Sequence, residues 1–172
     1  MKQPTTKNVT DDGKRHNRPY CETTNEIYDD KGKTWSKQLF EREYKNEYYL
    51  KNGSQKGPDL EIHSAETNSE VNHGLIEVEV KESWKSSSSF RYNTVHVPHR
   101  KRRTFKNNPN LLYLLQWNYN GTACLWIHRD VILTCEVIEK TVHNNSEPEW
   151  FLEIPVNKCE IQTTTNNESD GI

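Results

Sequence analysis

The chain has 172 residues, 31% of them apolar and 28% charged, with a mean hydropathy of −1.06. That size fits one domain, and the low apolar content requires part of the chain to stay outside its core. No apolar run is long enough to cross a bilayer and no apolar leader opens the chain, so a cytoplasmic, membrane-free protein is expected. The four cysteines form no Cys-x-x-Cys pair, which argues against a zinc site and for reduced thiols.

In chain order, residues 1–33 are polar and aperiodic and predict a flexible N-terminal arm. Residues 34–51 predict a helix, with Thr34 as N-cap and with Trp35, Leu39, Phe40, Tyr44 and Tyr48 at helical spacing. Asn52-Gly53 supplies its stop. A turn leads into Pro58-Asp59-Leu60-Glu61-Ile62, whose alternation predicts a strand with Leu60 and Ile62 on one face and Asp59 and Glu61 on the other. Residues 63–74 are a polar connection. Residues 75–81 alternate again: Ile76, Val78 and Val80 face a core, while Glu77, Glu79 and Lys81 face away.

Net charge is −2 overall, but residues 81–110 alone carry +7, so the chain is strongly polarised. A serine run predicts a loop before a strand at residues 90–97. Pro98 then predicts the first turn of a short basic helix over residues 98–106, holding Arg100, Lys101, Arg102, Arg103 and Lys106. Residues 111–117 read as a buried central strand, and Asn120-Gly121 as a hairpin turn into a strand at 122–127. On that strand Leu125 and Ile127 share one face, with Cys124 and Trp126 on the other; Asp130 reads as a turn or cap. Residues 134–156 hold two alternating runs, expected as a small antiparallel extension of the sheet or an edge pair blunted by Pro155. Residues 157–172 are polar and predict a disordered tail, leaving 34–156 as one domain.

If the strands carrying Asp59 and Glu79 pair, their carboxylates converge on one hard cation with Lys81 beside it, and oxygen ligands of this kind are what Mg²⁺ prefers. Pro58-Asp59, then Glu79-Val80-Lys81 twenty positions on, resembles the PD-(D/E)xK nuclease superfamily. The resemblance spans residues 35–132 and implies a restriction-endonuclease-like α/β (α+β) core, a central mixed sheet flanked by helices. It further implies that Asp59, Glu79 and the Val80 carbonyl hold Mg²⁺, with Mn²⁺ as a substitute, while Lys81 orients water and offsets charge. A helix glutamate often joins such a site. Glu41 of Phe40-Glu41 is the best match and Glu43 the alternative, although either also suits a solvated helical ion pair with Lys37, Arg42 or Lys45.

The expected activity is thus metal-dependent hydrolysis of phosphodiester bonds in double-stranded or branched DNA, with Arg91, Arg100, Lys101, Arg102, Arg103 and Lys106 tracking the backbone. A homodimer is one route to cutting both strands. The competing expectation is a non-catalytic nucleic-acid-binding module using the basic segment, residues 91–106.

Overall fold

The computed structural model describes residues 22–45, 47–66, 72–85, 89–141 and 148–164. They form a mixed α/β fold: a six-stranded mixed sheet, a second sheet of three strands, three α-helices and one 3-10 turn, Val156–Lys158. The large sheet runs β1 (Tyr48–Asn52), β2 (Leu60–Ser64), β3 (Gly74–Lys81), β5 (Leu111–Asn118), β6 (Ala123–His128) and β9 (Glu160–Thr163). All neighbours are antiparallel except β3 and β5, which are parallel. Parallel neighbours need a long crossover. Here it contains β4 (Thr94–Pro98) and helix α2 (Arg100–Asn107). The small sheet runs β4–β8–β7, with β7 at Glu136–Lys140 and β8 at Glu149–Pro155. Helix α3 (Arg129–Thr134) links β6 to β7. Among the described residues no helix is long and apolar enough to cross a membrane.

Both faces of the large sheet are covered, which explains the dense apolar run of β5. On one face Leu39 and Phe40 of α1 (Glu22–Glu43) pack over Leu60, Ile76, Val78, Leu115, Trp117 and Trp126. On the other, Leu114, Leu125 and Ile127 meet Phe105 of α2, Ile132 of α3 and Val95, Val97, Leu152 and Ile154 of the small sheet. The faces expected for Leu125/Ile127 and for Cys124/Trp126 are those observed.

Several boundaries differ from expectation. The helix expected at 34–51 begins at Glu22, inside the stretch read as an arm; residues 1–21 lie outside the described residues. Thr34 is therefore mid-helix, its hydroxyl donating to the Asp30 carbonyl at 2.9 Å. Tyr48 belongs to β1, because pairing with β2 overrides the helical spacing of the aromatics. Gly32, which looks like a helix breaker, lets α1 approach the sheet: a Cβ there would lie 2.8 Å from Val78 Cγ1. Pro98 ends β4 rather than opening α2, since its strand is held against Phe151. The runs at 134–156 do not extend the large sheet but form the small one with β4. Within the expected tail, β9 pairs with β6, its Thr163 opposite Ala123; residues 165–172 lie outside the described residues.

The turn between β5 and β6 is closed by Asn118, whose Oδ1 accepts from the N–H groups of Thr122 (2.8 Å) and Ala123 (3.2 Å). Gly121 has φ +73°, and a Cβ there would lie 2.3 Å from the Trp35 indole. Gly121→Ala should therefore destabilise the fold by about 2 kcal/mol, through left-handed strain plus displacement of Trp35. A thermal melt of the variant should show a midpoint lower by several degrees.

Candidate functional site

The site lies on β3, between β2, β5 and α2. Alternation sends Ile76 and Val78 to the α1 side and Glu77 and Glu79 to the opposite face. That face is not open to solvent, because α2 lies across it. Phe105 is fully buried in the core, and Lys101, four residues earlier, shares its side of the helix. The same packing carries Lys101 inward until it is 8% exposed. Its Nζ reaches Glu79 Oε1 at 2.9 Å and Glu77 Oε2 at 3.7 Å. Gln116, opposite Glu79 on the parallel strand, places its Nε2 3.4 Å from Glu79 Oε2.

Asp59 stands immediately before β2 and joins the group from the neighbouring strand. Its Oδ2 accepts from the Val78 N–H at 2.7 Å, and Oδ1 lies 4.0 Å from Lys33 Nζ on α1. Glu77 hydrogen-bonds to Asp59. The antiparallel register, with Leu60 opposite Ile76, explains that contact: the next step along each strand sets Asp59 beside Glu77. The acid nearest Asp59 is thus Glu77, not Glu79.

Protonation follows from this crowding. Burial, then Asp59 and Glu79, push the Glu77 carboxyl up to about 8, against the opposing pull of Lys101. Burial would raise Glu79 too, but Lys101 holds its carboxyl below the usual range. Burial would lower Lys101, yet Glu79 and Glu77 raise it. Lys101 and Glu79 are therefore an ionised pair, while burial and the neighbouring acids favour the protonated form of Glu77. Loss of hydration and the Asp59 charge raise Asp29 on α1. Burial lowers the Lys81 ammonium, and Lys81 forms no ion pair among the described residues.

The other expected site residues are dispersed. Glu41 is exposed on α1, and the α1 groups coupled to Asp59 are Lys33 and Asp29. Sequence reasoning missed both because it started the helix after them. It assigned Lys101 to the DNA backbone, whereas the helix turns Lys101 inward to Glu79 and Glu77; the spacing of Lys101 and Phe105 was the available signal. Arg102 donates to the carbonyls of Ile132 (3.0 Å) and Cys135 (2.5 Å), tying α2 to the end of α3. Arg100 is half-buried with an unpartnered Nε, and Arg91, Arg103 and Lys106 are exposed. Arg129, unremarked in the sequence, donates from Nη1 to the carbonyls of Phe105, Asn108 and Leu111 and so fixes the turn after α2.

Among the described residues, no three His, Cys, Asp or Glu side chains form a metal-holding group. Mg²⁺ needs only one or two carboxylates besides water and substrate oxygens. The donor chemistry meets that lesser demand. Asp59, Glu77 and Glu79 face two close cations, Lys33 at Asp59 and Lys101 at Glu77 and Glu79, and the crowding of three acids favours the protonated form of Glu77. A hard divalent ion would relieve the same crowding by replacing that proton.

No protein-family model matches this chain, and no curated protein or solved structure matches it. The chemistry therefore rests on the side chains themselves.

The raised Glu77 carboxyl makes stability pH-dependent. Its value is about 8 in the fold against an ordinary 4.5, so the folded state binds the extra proton between those limits. Stability from this group is complete below 4.5 and is lost as pH rises to about 8. Glu77→Gln, which keeps the neutral shape, should gain on wild type as pH rises and hold that gain above about 8. Thermal melts of both proteins, at about pH 5 and about pH 9, should differ little at the first and clearly at the second.

Proposed function

We propose that the protein is a metal-dependent DNA nuclease whose hydrolytic site is built on Asp59, Glu77 and Glu79, with Lys101 as its fixed positive charge. The observation that carries this reading is the convergence of those four side chains from the end of the β1–β2 turn, β3 and α2. A mixed sheet with helices on both faces agrees with the coarse architecture implied by the PD-(D/E)xK resemblance. The restriction-endonuclease-like identity of the core is part of the proposal.

In this reading Asp59 and Glu79 hold the cation, with Glu77 as the neighbouring acid and the Val80 carbonyl as a further oxygen. Bound there, Mg²⁺ or Mn²⁺ supplies Lewis-acid polarisation of the scissile phosphate and of a water molecule. The chain's own work is orientation and charge. The Val78 N–H and Lys33 aim the Asp59 carboxylate. Lys101 keeps Glu79 ionised despite its burial, so that Glu79 remains a ligand rather than an acid. Glu77, raised to about 8, is poised to take up or release a proton near neutral pH. Lys81, two residues beyond Glu79 and free of ion pairs among the described residues, faces the space where phosphate oxygens would approach, and its charge offsets theirs.

A second reading draws on the exposed Arg91, Arg103 and Lys106: a binding module that holds DNA through its phosphates without cutting it. Nicking of supercoiled plasmid in Mg²⁺ or Mn²⁺, with EDTA as control, separates the two. The expected result is metal-dependent nicking that falls on the order of 10²-fold or more in Asp59→Asn and Glu79→Gln. Lys101→Met should also lower the rate, and it should raise the pH needed for activity, because Glu79 then ionises later. DNA binding without cleavage in either metal would establish the module instead.

A further inference from the structure

A cavity of about 610 Å³ opens beside Glu79, between the large sheet and the small one. Glu79, Lys81 and Gln116 line it from β3 and β5, His96 and Phe151 from β4 and β8, and Lys85 from the loop after β3. Its volume is within the range of small-ligand sites, roughly 300–1,000 Å³, and is far too small for a duplex.

Two features of its wall point to a ligand. Positive charge is left over: Glu79 is already matched by Lys101, and Lys81 and Lys85 outnumber the remaining acid of the wall, Glu82; Lys81 forms no ion pair among the described residues. Lys85 is held near the mouth by stacking its ammonium 4.6 Å from the Tyr119 ring centroid. Opposite these groups the wall is aromatic. Phe151 and His96 have centroids 6.3 Å apart, and His96 is braced by Glu153 Oε2 at 3.3 Å and Lys140 Nζ at 3.2 Å.

We infer that this cavity receives one unpaired nucleotide of a DNA strand, with its phosphate on Lys81 and Lys85 and its base along Phe151 and His96. The inference rests on the nuclease reading for the placement of the strand beside Glu79, and it narrows the substrate to single-stranded DNA or duplex with an unpaired end. A base inside a duplex has both faces stacked and cannot present one to Phe151. Every base has such a face, so the site selects for an unpaired strand rather than for a sequence.

Fluorescence anisotropy tests this in EDTA, where no cutting occurs. The probes are a labelled mixed-sequence 15-mer, the same strand in a blunt duplex, and a duplex with a short overhang. Wild type should bind the single strand and the overhang at least about tenfold more tightly than the blunt duplex. Phe151→Leu, which keeps an apolar side chain, and Lys81→Met should each weaken single-strand binding about tenfold with little change for blunt duplex. Thermal melts report whether each variant is folded. Equal affinity for all three probes, or folded variants that bind single strands as wild type does, would overturn the inference. A cleavage assay in Mg²⁺ on the same labelled single strand and overhang duplex keeps the two proposals apart. Strand preference without metal-dependent cleavage rejects the nuclease and keeps the cavity assignment; cleavage without strand preference does the reverse.

Discussion

The ion pair between Lys101 and Glu79 is the contact on which the site depends. Two opposite charges are taken out of water and held 2.9 Å apart, across the boundary between a helix and a sheet. Desolvation alone would neutralise either partner. Each stays charged because the other does, and Glu77 and Gln116 complete the surroundings. Removing one partner would leave the other buried and unmatched, which costs more than the pair itself contributes. Such an arrangement is poor design for stability alone and makes sense where a carboxylate must remain ionised indoors.

The architecture follows from the same constraint. The acids of β3 need a face that is dry but not apolar. The parallel crossover provides it by laying α2 over the ends of β3 and β5. Phe105 anchors that helix in the core, Arg102 ties it to α3, and Arg129 gathers three carbonyls at the turn that follows. Two of the chain's cations are thus spent on holding a third in place. The basic run is accordingly divided: Arg103 and Lys106 face outward, while Lys101 and Arg102 face in.

Much of this was legible in the residues. Alternation placed Ile76 and Val78 against Glu77 and Glu79, the apolar run of β5 announced a strand buried on both faces, and Asn120-Gly121 marked the turn. What was not legible depended on partners distant in sequence. The start of α1 was hidden because its first turns are polar and aperiodic, although Gly32 within them serves close approach to Val78. That error also hid Lys33 and Asp29. The basic segment looked like a single phosphate-facing patch, since charge alone does not reveal that Phe105 turns one side of the helix inward. β9 was missed because a short, polar edge strand has no alternating signal of its own.

That edge strand has a consequence for how the molecule comes into being. Arg42, near the end of α1, clasps the carbonyls of Thr163 and Thr164 at 2.6 and 3.0 Å, more than 120 positions along the chain. Thr164 in turn reaches back to the Gly121 carbonyl. Until the last of these residues has been synthesised, β6 lacks its outer neighbour and its unsatisfied backbone stays open to foreign strands. Completion of the sheet must therefore wait until residues 160–164 have emerged, and a chain cut before Glu160 would carry a sticky margin throughout its life.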